Sequence, residues 1–288
     1  MLAQLKSKWM EAALLRIDVC SDLHVDHNPD PYLADGSIMR FDVAGHRNAG
    51  ASVLVVAGDI SDFVDDVYEF AEEASKHYEH IIYVDGNHEH RDSLHVNTSS
   101  HFLSNIQTPN FHYLDGETST SYTIGRTRFI GANAWYDWRC YEDKGITFPM
   151  AFAHWDDYSE DAKLNFNPQG WPNLLGVEQI TAMLKEVAAA NADPHIDSIV
   201  MVTHSAPTVE CLRWSDDNPS WNHGSPSYVN TGLSQVFDAN TSGKIKLWVY
   251  GHTHTRRTFT YRGVTLVNNC YGYPGEFADG WTMQVFEV

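Results

Sequence analysis

The sequence predicts an α/β layered fold, because short apolar runs typical of buried strands alternate with segments of helical periodicity. Five of these runs each end in a polar loop that carries Asp, Asn or His. The chain has 288 residues, of which 43% are hydrophobic, and this is enough to build a full core. We expect a short amphipathic helix or a loose tail over residues 1–15 and a single domain over residues 16–288.

The five apolar runs predict five strands, since each is short and rich in β-branched residues. They cover residues 15–20, 52–57, 80–84, 198–202 and 245–250.

Two segments repeat apolar side chains at helical spacing and predict helices over residues 62–79 and 177–191. Asp62 is placed to cap the first turn of the first helix. Pro194 follows the second helix as a stop signal. These helices lie between predicted strands, as an α/β fold requires.

The remaining segments show other patterns. Residues 258–261 and 264–267 flank a short Gly turn and predict a hairpin, and residues 281–288 predict a last strand. Residues 134–175 are rich in Trp, Tyr, Phe and Asn but only weakly periodic. They predict a long irregular insertion, and such loops are often functional.

Composition argues against several classes of protein. The formal charge is −19 and the Lys and Arg residues are scattered, so no basic stripe is present to bind long nucleic acid. No apolar run is long enough to span a membrane, and the N-terminus lacks a signal-peptide pattern. The four cysteines show no metal-binding spacing, and we expect reduced thiols in a cytoplasmic protein.

The polar strand-end loops are weak signals when taken singly. Gly-Asp is common in turns, and a buried His is usually just hydrogen-bonded. Their joint occurrence is informative, because open α/β sheets bind ligands at the carboxyl ends of their strands. The loops contain Asp22-Leu23-His24, Gly58-Asp59, Gly86-Asn87-His88-Glu89, His204 and Gly251-His252-Thr253-His254.

In this order the loops resemble the motifs of the calcineurin-like metallophosphoesterase superfamily, from about residue 16 to about residue 275. That pattern is D-x-H, G-D-x-x-D, G-N-H-E/D, a lone His and G-H-x-H. Residues 129–135, 202–207 and 268–275 further resemble a bacterial- or phage-type single-domain branch. The resemblance implies a four-layer α-β-β-α sandwich, with two mixed sheets flanked by helices.

The resemblance also implies a centre of two divalent metal ions, bridged by Asp59. The first ion would be held by Asp22, His24, Asp59 and His254, and the second by Asp59, Asn87, His204 and His252. Carboxylate, amide and imidazole ligands suit Mn, Fe, Zn or Ni. The implied reaction is hydrolysis of a phosphodiester or phosphomonoester by a metal-bridging hydroxide. A phosphodiesterase of small or nucleotide substrates is favoured.

His88 matches the residue that protonates the leaving oxygen in the superfamily, and Asp62 matches the carboxylate that orients it. Asn87 and His88 are also the expected substrate contacts. Phe63 stands where protein phosphatases of the superfamily have Arg, which argues against protein phosphatase activity. Arg91 or Arg139 would be a substitute phosphate ligand, and the alternative for each is a solvated surface residue.

Two alternatives to a small-molecule phosphoesterase remain open from sequence. One is a nuclease of the same superfamily, which the acidic charge disfavours. The other is a non-catalytic metal-binding scaffold, which the presence of all seven ligand positions and His88 disfavours. We expect the insertion and the loop 208–230 to shape the pocket. The loop's ring-bearing residues either stack on a base or anchor the loop: Trp214, Trp221, His223 and Tyr228.

Overall fold

A computed structural model describes residues 14–27, 41–215, 218–219, 225–277 and 280–288. Most of the predicted N-terminal helix or tail lies outside the described residues. The same holds for Trp221, for His223 and for the side chain of Trp214.

The first sheet has five strands, and its central strands are parallel. Their order is β13-β1-β2-β3-β4, and the edge strand β13 pairs antiparallel with β1. The strands are β1 (Arg16–Cys20), β2 (Val53–Ala57), β3 (His80–Val84), β4 (Phe111–Tyr113) and β13 (Gln284–Glu287).

The second sheet has six strands in the order β11-β12-β10-β7-β6-β5. Its four inner strands are parallel, and each outer strand pairs antiparallel with its neighbour. The strands are β5 (Ser121–Ile124), β6 (Thr127–Ala132), β7 (Ser198–Thr203), β10 (Ile245–Tyr250), β11 (Arg257–Tyr261) and β12 (Val264–Asn268). A small separate ribbon joins β8 (Arg213–Ser215) to β9 (Asn218–Pro219).

The described α-helices lie outside the two sheets or in the connecting segments. They are α1 (Val43–His46), α2 (Val64–Ser75), α3 (Val96–Ser104), α4 (Phe148–Ala153), α5 (Trp155–Tyr158), α6 (Pro172–Ala192) and α7 (Ser234–Ala239). Short 3-10 helices cover His88–His90, Glu142–Lys144, Glu160–Lys163, Val209–Leu212, Ser225–Tyr228 and Thr231–Leu233. None of the described helices is both long and apolar enough to cross a bilayer.

Three hydrophobic clusters show that the layers stack as α-β-β-α. The middle cluster joins the inner faces of the sheets, with Val55 of β2 and Val200 of β7 as members. A second cluster packs α2 against the outer face of the first sheet. The third packs α6 and the segment after β6 against the outer face of the second sheet. The predicted four-layer sandwich of two mixed sheets is confirmed.

The local predictions were correct in part. All five predicted strands, the hairpin of β11 and β12 and the last strand form, and both predicted helices are present with shifted ends. The predicted cap at Asp62 is wrong. Helix α2 begins at Val64, and the residue at its N-cap position is Phe63, whose side chain makes no capping hydrogen bond. Ser61 Oγ instead accepts a hydrogen bond from the backbone N of Phe63, 3.1 Å away.

The insertion is more ordered than its sequence predicted. Residues 134–175 hold α4, α5 and two of the 3-10 helices. Trp135, Trp138 and Trp155 of this segment are buried in the third hydrophobic cluster. The aromatic residues that obscured the periodicity are therefore the core of the insertion.

Candidate metal centre

The candidate site lies where the two sheets meet at the carboxyl ends of their parallel strands. The loops after β1, β2 and β3 approach from the first sheet, and the loops after β7 and β10 approach from the second. His204 Nε2 of the second sheet lies 3.2 Å from Asp59 Oδ2 of the first. The parallel strands of both sheets therefore bring all five polar loops to one place.

The structure brings all seven predicted metal ligands together. The side chains form three groups, and within each group the ligand atoms lie within 4.8 Å of one another. Two of these groups share no residue, and the third links them because it contains both His24 and Asp59. Asn87 completes the set, since its Oδ1 lies 3.0 Å from His204 Nε2. The groups are Asp22, His24 and His254; Asp59, His204 and His252; and His24, Asp59 and His88.

The backbone at these positions is strained. Five of the seven predicted ligands have φ between 43° and 68°, in the left-handed region that few side chains adopt. Each such residue costs on the order of 1–3 kcal/mol, and such strain is concentrated at functional sites. The five are Asp22, His24, Asp59, His252 and His254.

Two glycines let the loops approach closely. Gly58 has φ +81°, and a Cβ there would lie 2.5 Å from His204 Nδ1 and 2.7 Å from Gly86 N. A Cβ on Gly86 would collide with the Asp59 carboxylate. The glycine of each motif is thus needed to seat Asp59 between the two sheets.

Glu89 joins two of the ligand-bearing loops. Its buried carboxylate accepts backbone hydrogen bonds from Gly86 (2.6 Å), Ile60 (2.5 Å) and Asp59 (3.1 Å). Burial and the neighbouring Asp59 charge raise the pKa of Glu89 to about 7, although these hydrogen bonds lower it. Sequence reasoning included Glu89 in its motif but assigned it no role.

Outward hydrogen bonds orient the imidazoles of His204, His252 and His254. His204 Nδ1 donates to the Ala57 carbonyl at 2.8 Å, and His252 Nε2 donates to the Ser227 carbonyl at 2.9 Å. His254 Nδ1 lies 2.7 Å from the Glu276 carboxylate. Because these partners are acceptors, the other ring nitrogen of each His offers a lone pair to the centre once the ring has lost its second proton. Metal-binding histidines are held in this way.

The charge balance of the centre also fits cations. Asp22 and Asp59 are both buried. Burial raises the pKa of Asp22, whereas His204 and His88 hold the pKa of Asp59 well below its usual range despite burial. Burial lowers the pKa of His204, but the Asp59 charge and hydrogen bond outweigh it and raise that pKa to about 10. Two carboxylates, one amide and four imidazoles therefore fit two divalent cations.

His88 sits beside the ligands with both ring nitrogens engaged. Its Nδ1 lies 2.5 Å from Asp62 Oδ1, and its Nε2 lies 3.1 Å from the Tyr273 hydroxyl. Partial burial raises the pKa of Asp62, but its hydrogen bond to His88 outweighs this and lowers the pKa. Tyr273 also stacks on His24, with ring centroids 4.3 Å apart. The Asp62 carboxylate thus contacts His88 directly, and Tyr273, to which sequence reasoning assigned no role, is a second contact of the same ring.

A pocket of about 410 Å³ opens over the centre. One side of this pocket is formed by proposed metal ligands and His88, and the opposite side is formed by the insertion, including Tyr158 and Asp161. Of the two candidate arginines, Arg91 lines the pocket, with Nη2 3.5 Å from Asp161 Oδ1. Arg139 is exposed, and its guanidinium lies over the Phe148 ring instead.

The sequence model of the calcineurin-like phosphoesterase family matches residues 15–256, and the chain belongs to that family. An uncharacterized protein of Acanthamoeba polyphaga mimivirus is 26% identical over 235 residues, which cover 77% of this chain and 79% of that protein.

Two solved structures are similar in fold. A phosphopantetheinyl hydrolase from Mycobacterium tuberculosis gives a TM-score of 0.67 at 18% identity, over 94% of this chain and 96% of that one. A dimetal phosphatase from Danio rerio gives a TM-score of 0.50 at 15% identity, over 89% of this chain and 87% of that one.

Proposed function

We propose that this protein is a dinuclear-metal-dependent hydrolase of small phosphate esters, with phosphodiesters preferred over phosphomonoesters. One observation carries the proposal. Two groups of side chains of the metal-ligating type, linked through His24 and Asp59, open onto a pocket that also presents His88 and Arg91. The proposed ligands that line this pocket are Asp59, Asn87, His252 and His254. Family membership supports the reaction class.

The proposed ligand assignment is the one that the superfamily motifs imply, and the grouping of these side chains supports it. Asp22, His24, Asp59 and His254 would hold one ion, while Asp59, Asn87, His204 and His252 would hold the other. When bound, two such cations activate water as a nucleophile near neutral pH and neutralise the phosphate oxygens. The donor types suit Mn, Fe, Zn or Ni.

His88 is the proposed general acid. The Asp62 carboxylate accepts a hydrogen bond from His88 Nδ1–H, which fixes the ring and turns Nε2 towards the pocket. From there Nε2 can give a proton to the leaving oxygen, a step that a positioned imidazole performs well near neutral pH. Asn87 and His88 line the same wall and are the proposed substrate contacts.

The charge of the pocket supports a preference for diesters. Among the lining residues that the structure describes, four are carboxylates and one is an arginine, Arg91. Three of these carboxylates, Glu160, Asp161 and Glu276, lie outside the proposed ligand set. A phosphodiester carries one negative charge near neutral pH and a phosphomonoester carries up to two. Asp161 is buried against Arg91, whereas Glu160 and Glu276 are exposed. These two exposed carboxylates repel a monoester more than a diester, and Arg91 is the proposed ligand for the single charge of the diester.

The test compares hydrolysis of bis-p-nitrophenyl phosphate and p-nitrophenyl phosphate by apo protein reloaded with Mn²⁺. We expect the diester to have the higher kcat/KM. His88→Ala should keep both ions and lose about 100- to 10,000-fold in kcat, the usual contribution of general acid–base catalysis. His101→Ala, an exposed histidine on α3, is the matched control and should retain wild-type kcat.

Other outcomes would replace the proposal. A higher kcat/KM for the monoester would make the protein a phosphatase. Two bound ions with no hydrolysis of either ester would favour a metal-binding scaffold. Near-wild-type kcat in His88→Ala would remove the general-acid role of that residue.

A further inference from the structure

We propose that Asp161, which the insertion carries, is a positioning residue that fixes the side-chain amide of Asn87 as a ligand of the second metal ion. The inference rests on the proposed function, because it concerns a ligand of the centre proposed there. The insertion would then orient a metal ligand in addition to lining the pocket.

The geometry at Asn87 is determined by the chemistry of its two neighbours. Asp161 Oδ1 accepts a hydrogen bond from Asn87 Nδ2 at 2.9 Å. A carboxylate only accepts hydrogen bonds, so the amide nitrogen must face Asp161. The amide oxygen then faces the opposite way, where it lies 3.0 Å from His204 Nε2. A flipped amide would present N–H groups to the cation and could not ligate it.

Asp161 is itself held firmly by the core of the insertion. Its side chain is buried, and Oδ2 accepts a hydrogen bond from the Tyr136 hydroxyl at 3.0 Å. Trp155 Nε1 donates to the same hydroxyl at 3.0 Å. The backbone N of Asp161 donates to Ser159 Oγ at 3.2 Å. The aromatic packing of the insertion therefore sets where Asn87 points.

Arg91 offsets the buried charge of Asp161, with Nη2 3.5 Å from Oδ1. A buried carboxylate–arginine pair of this kind has an alternative role, which is to stabilise the fold without affecting the centre. The two roles differ in a measurable way. A structural role predicts a change in stability with both ions bound as before, whereas a positioning role predicts a selective loss of affinity for one ion.

The experiment is a titration of apo protein with Mn²⁺. Binding is monitored by calorimetry and by the electron paramagnetic resonance signal of free Mn²⁺. In Asp161→Ala we expect the Kd of the second ion, the one that Asn87 would bind, to rise about 10- to 100-fold. This is the range for residues that orient a metal ligand. The Kd of the first ion should stay within about 3-fold, because the Asp161 carboxylate bonds to Asn87 and Tyr136, and Asn87 is a proposed ligand of the second ion alone. Asp156→Asn, an exposed carboxylate in the same insertion, controls for the change in charge.

The outcomes separate this inference from the proposed function. Wild-type protein that binds fewer than two ions would contradict the proposed function. Wild-type protein that binds two ions, together with a folded Asp161→Ala variant of unchanged affinities, would overturn the role of Asp161. If the alanine variant does not fold, Asp161→Asn preserves the volume of the side chain. Its neutral oxygen accepts a weaker hydrogen bond, so we expect a rise in the second Kd of about 3- to 10-fold, and an unchanged Kd would again overturn the role.

Discussion

The strand-end loops and the insertion contribute to the same pocket but are encoded in the sequence in different ways. Each strand-end ligand lies within a few residues of a buried strand, as His204 directly follows β7. Asp161 instead lies far along the chain from β6 and reaches Asn87 through aromatic packing around Trp155. Local sequence thus specifies the groups that do the chemistry, while tertiary packing specifies the groups that orient them.

The largest expected effect comes from the strand-end side of this comparison. Asp59→Asn keeps the size of the side chain but removes the carboxylate that lies in one group with His204 and His252 and in another with His24 and His88. We expect both ions to be lost and turnover to fall by more than about 100-fold, beyond the losses caused by residues that only support a ligand. Metal content per chain by mass spectrometry checks this result. Retention of two ions by the variant would show that Asp59 does not bridge the centre.

Strand ends and apolar periodicity predicted an α/β layered fold and the positions of the polar loops. The ligand set and the four-layer arrangement came from the resemblance to the superfamily. Sequence reasoning missed Tyr273, Glu276 and Asp161 because their contacts cross long distances in sequence. Tyr273, for example, meets His88 across 185 residues. It also gave no strand for β4 or β5, which have only three and four residues.

The same limit explains the wrong cap. Asp62 has the residue type and position of a helix cap, and the sequence alone allowed both a capping and an orienting role. In the structure its carboxylate bonds to His88, and the helix begins later. Only the three-dimensional position of His88 decides between the two roles.

The insertion side of the comparison is tested by Trp138→Ala. Trp138 is fully buried, and the rings of Phe148, Phe152, Trp155 and Tyr136 surround it at 5.1–5.6 Å between centroids. Removing it opens a cavity, and we expect the free energy of unfolding to fall by about 3–5 kcal/mol. Chemical denaturation of the metal-free protein measures the change.

A matched control is available in the same segment. Trp171 is 48% exposed, and Trp171→Ala should cost about 1 kcal/mol or less. Equal losses for the two variants would mean that the insertion does not depend on its aromatic core. A large loss for Trp138→Ala alone would support the view that this core holds Asp161 in place.

The smallest expected effect concerns histidines that lie away from the ligand-bearing loops. His112 on β4 stacks on Tyr122 of β5 at 3.5 Å, and its Nε2 lies 3.2 Å from His80 Nδ1. Partial burial, and then the charge of His80, lower the pKa of His112 from 6.5 to about 4.

The sign of the pH effect follows from that lowered pKa. The unfolded chain binds a proton at His112 below about pH 6.5, whereas the folded chain binds it only near pH 4. The contribution of His112 to stability is therefore present above pH 6.5 and is lost as the pH falls towards 4. His112→Phe removes the titration and keeps a ring to stack on Tyr122. We expect the loss of unfolding free energy between pH 7 and pH 5 to be smaller in the variant by about 1 kcal/mol, after allowance for the solvent exposure of the ring. Equal losses in the variant and the wild type, measured by chemical denaturation at both pH values, would show that the stack accepts a proton as easily as the unfolded chain does.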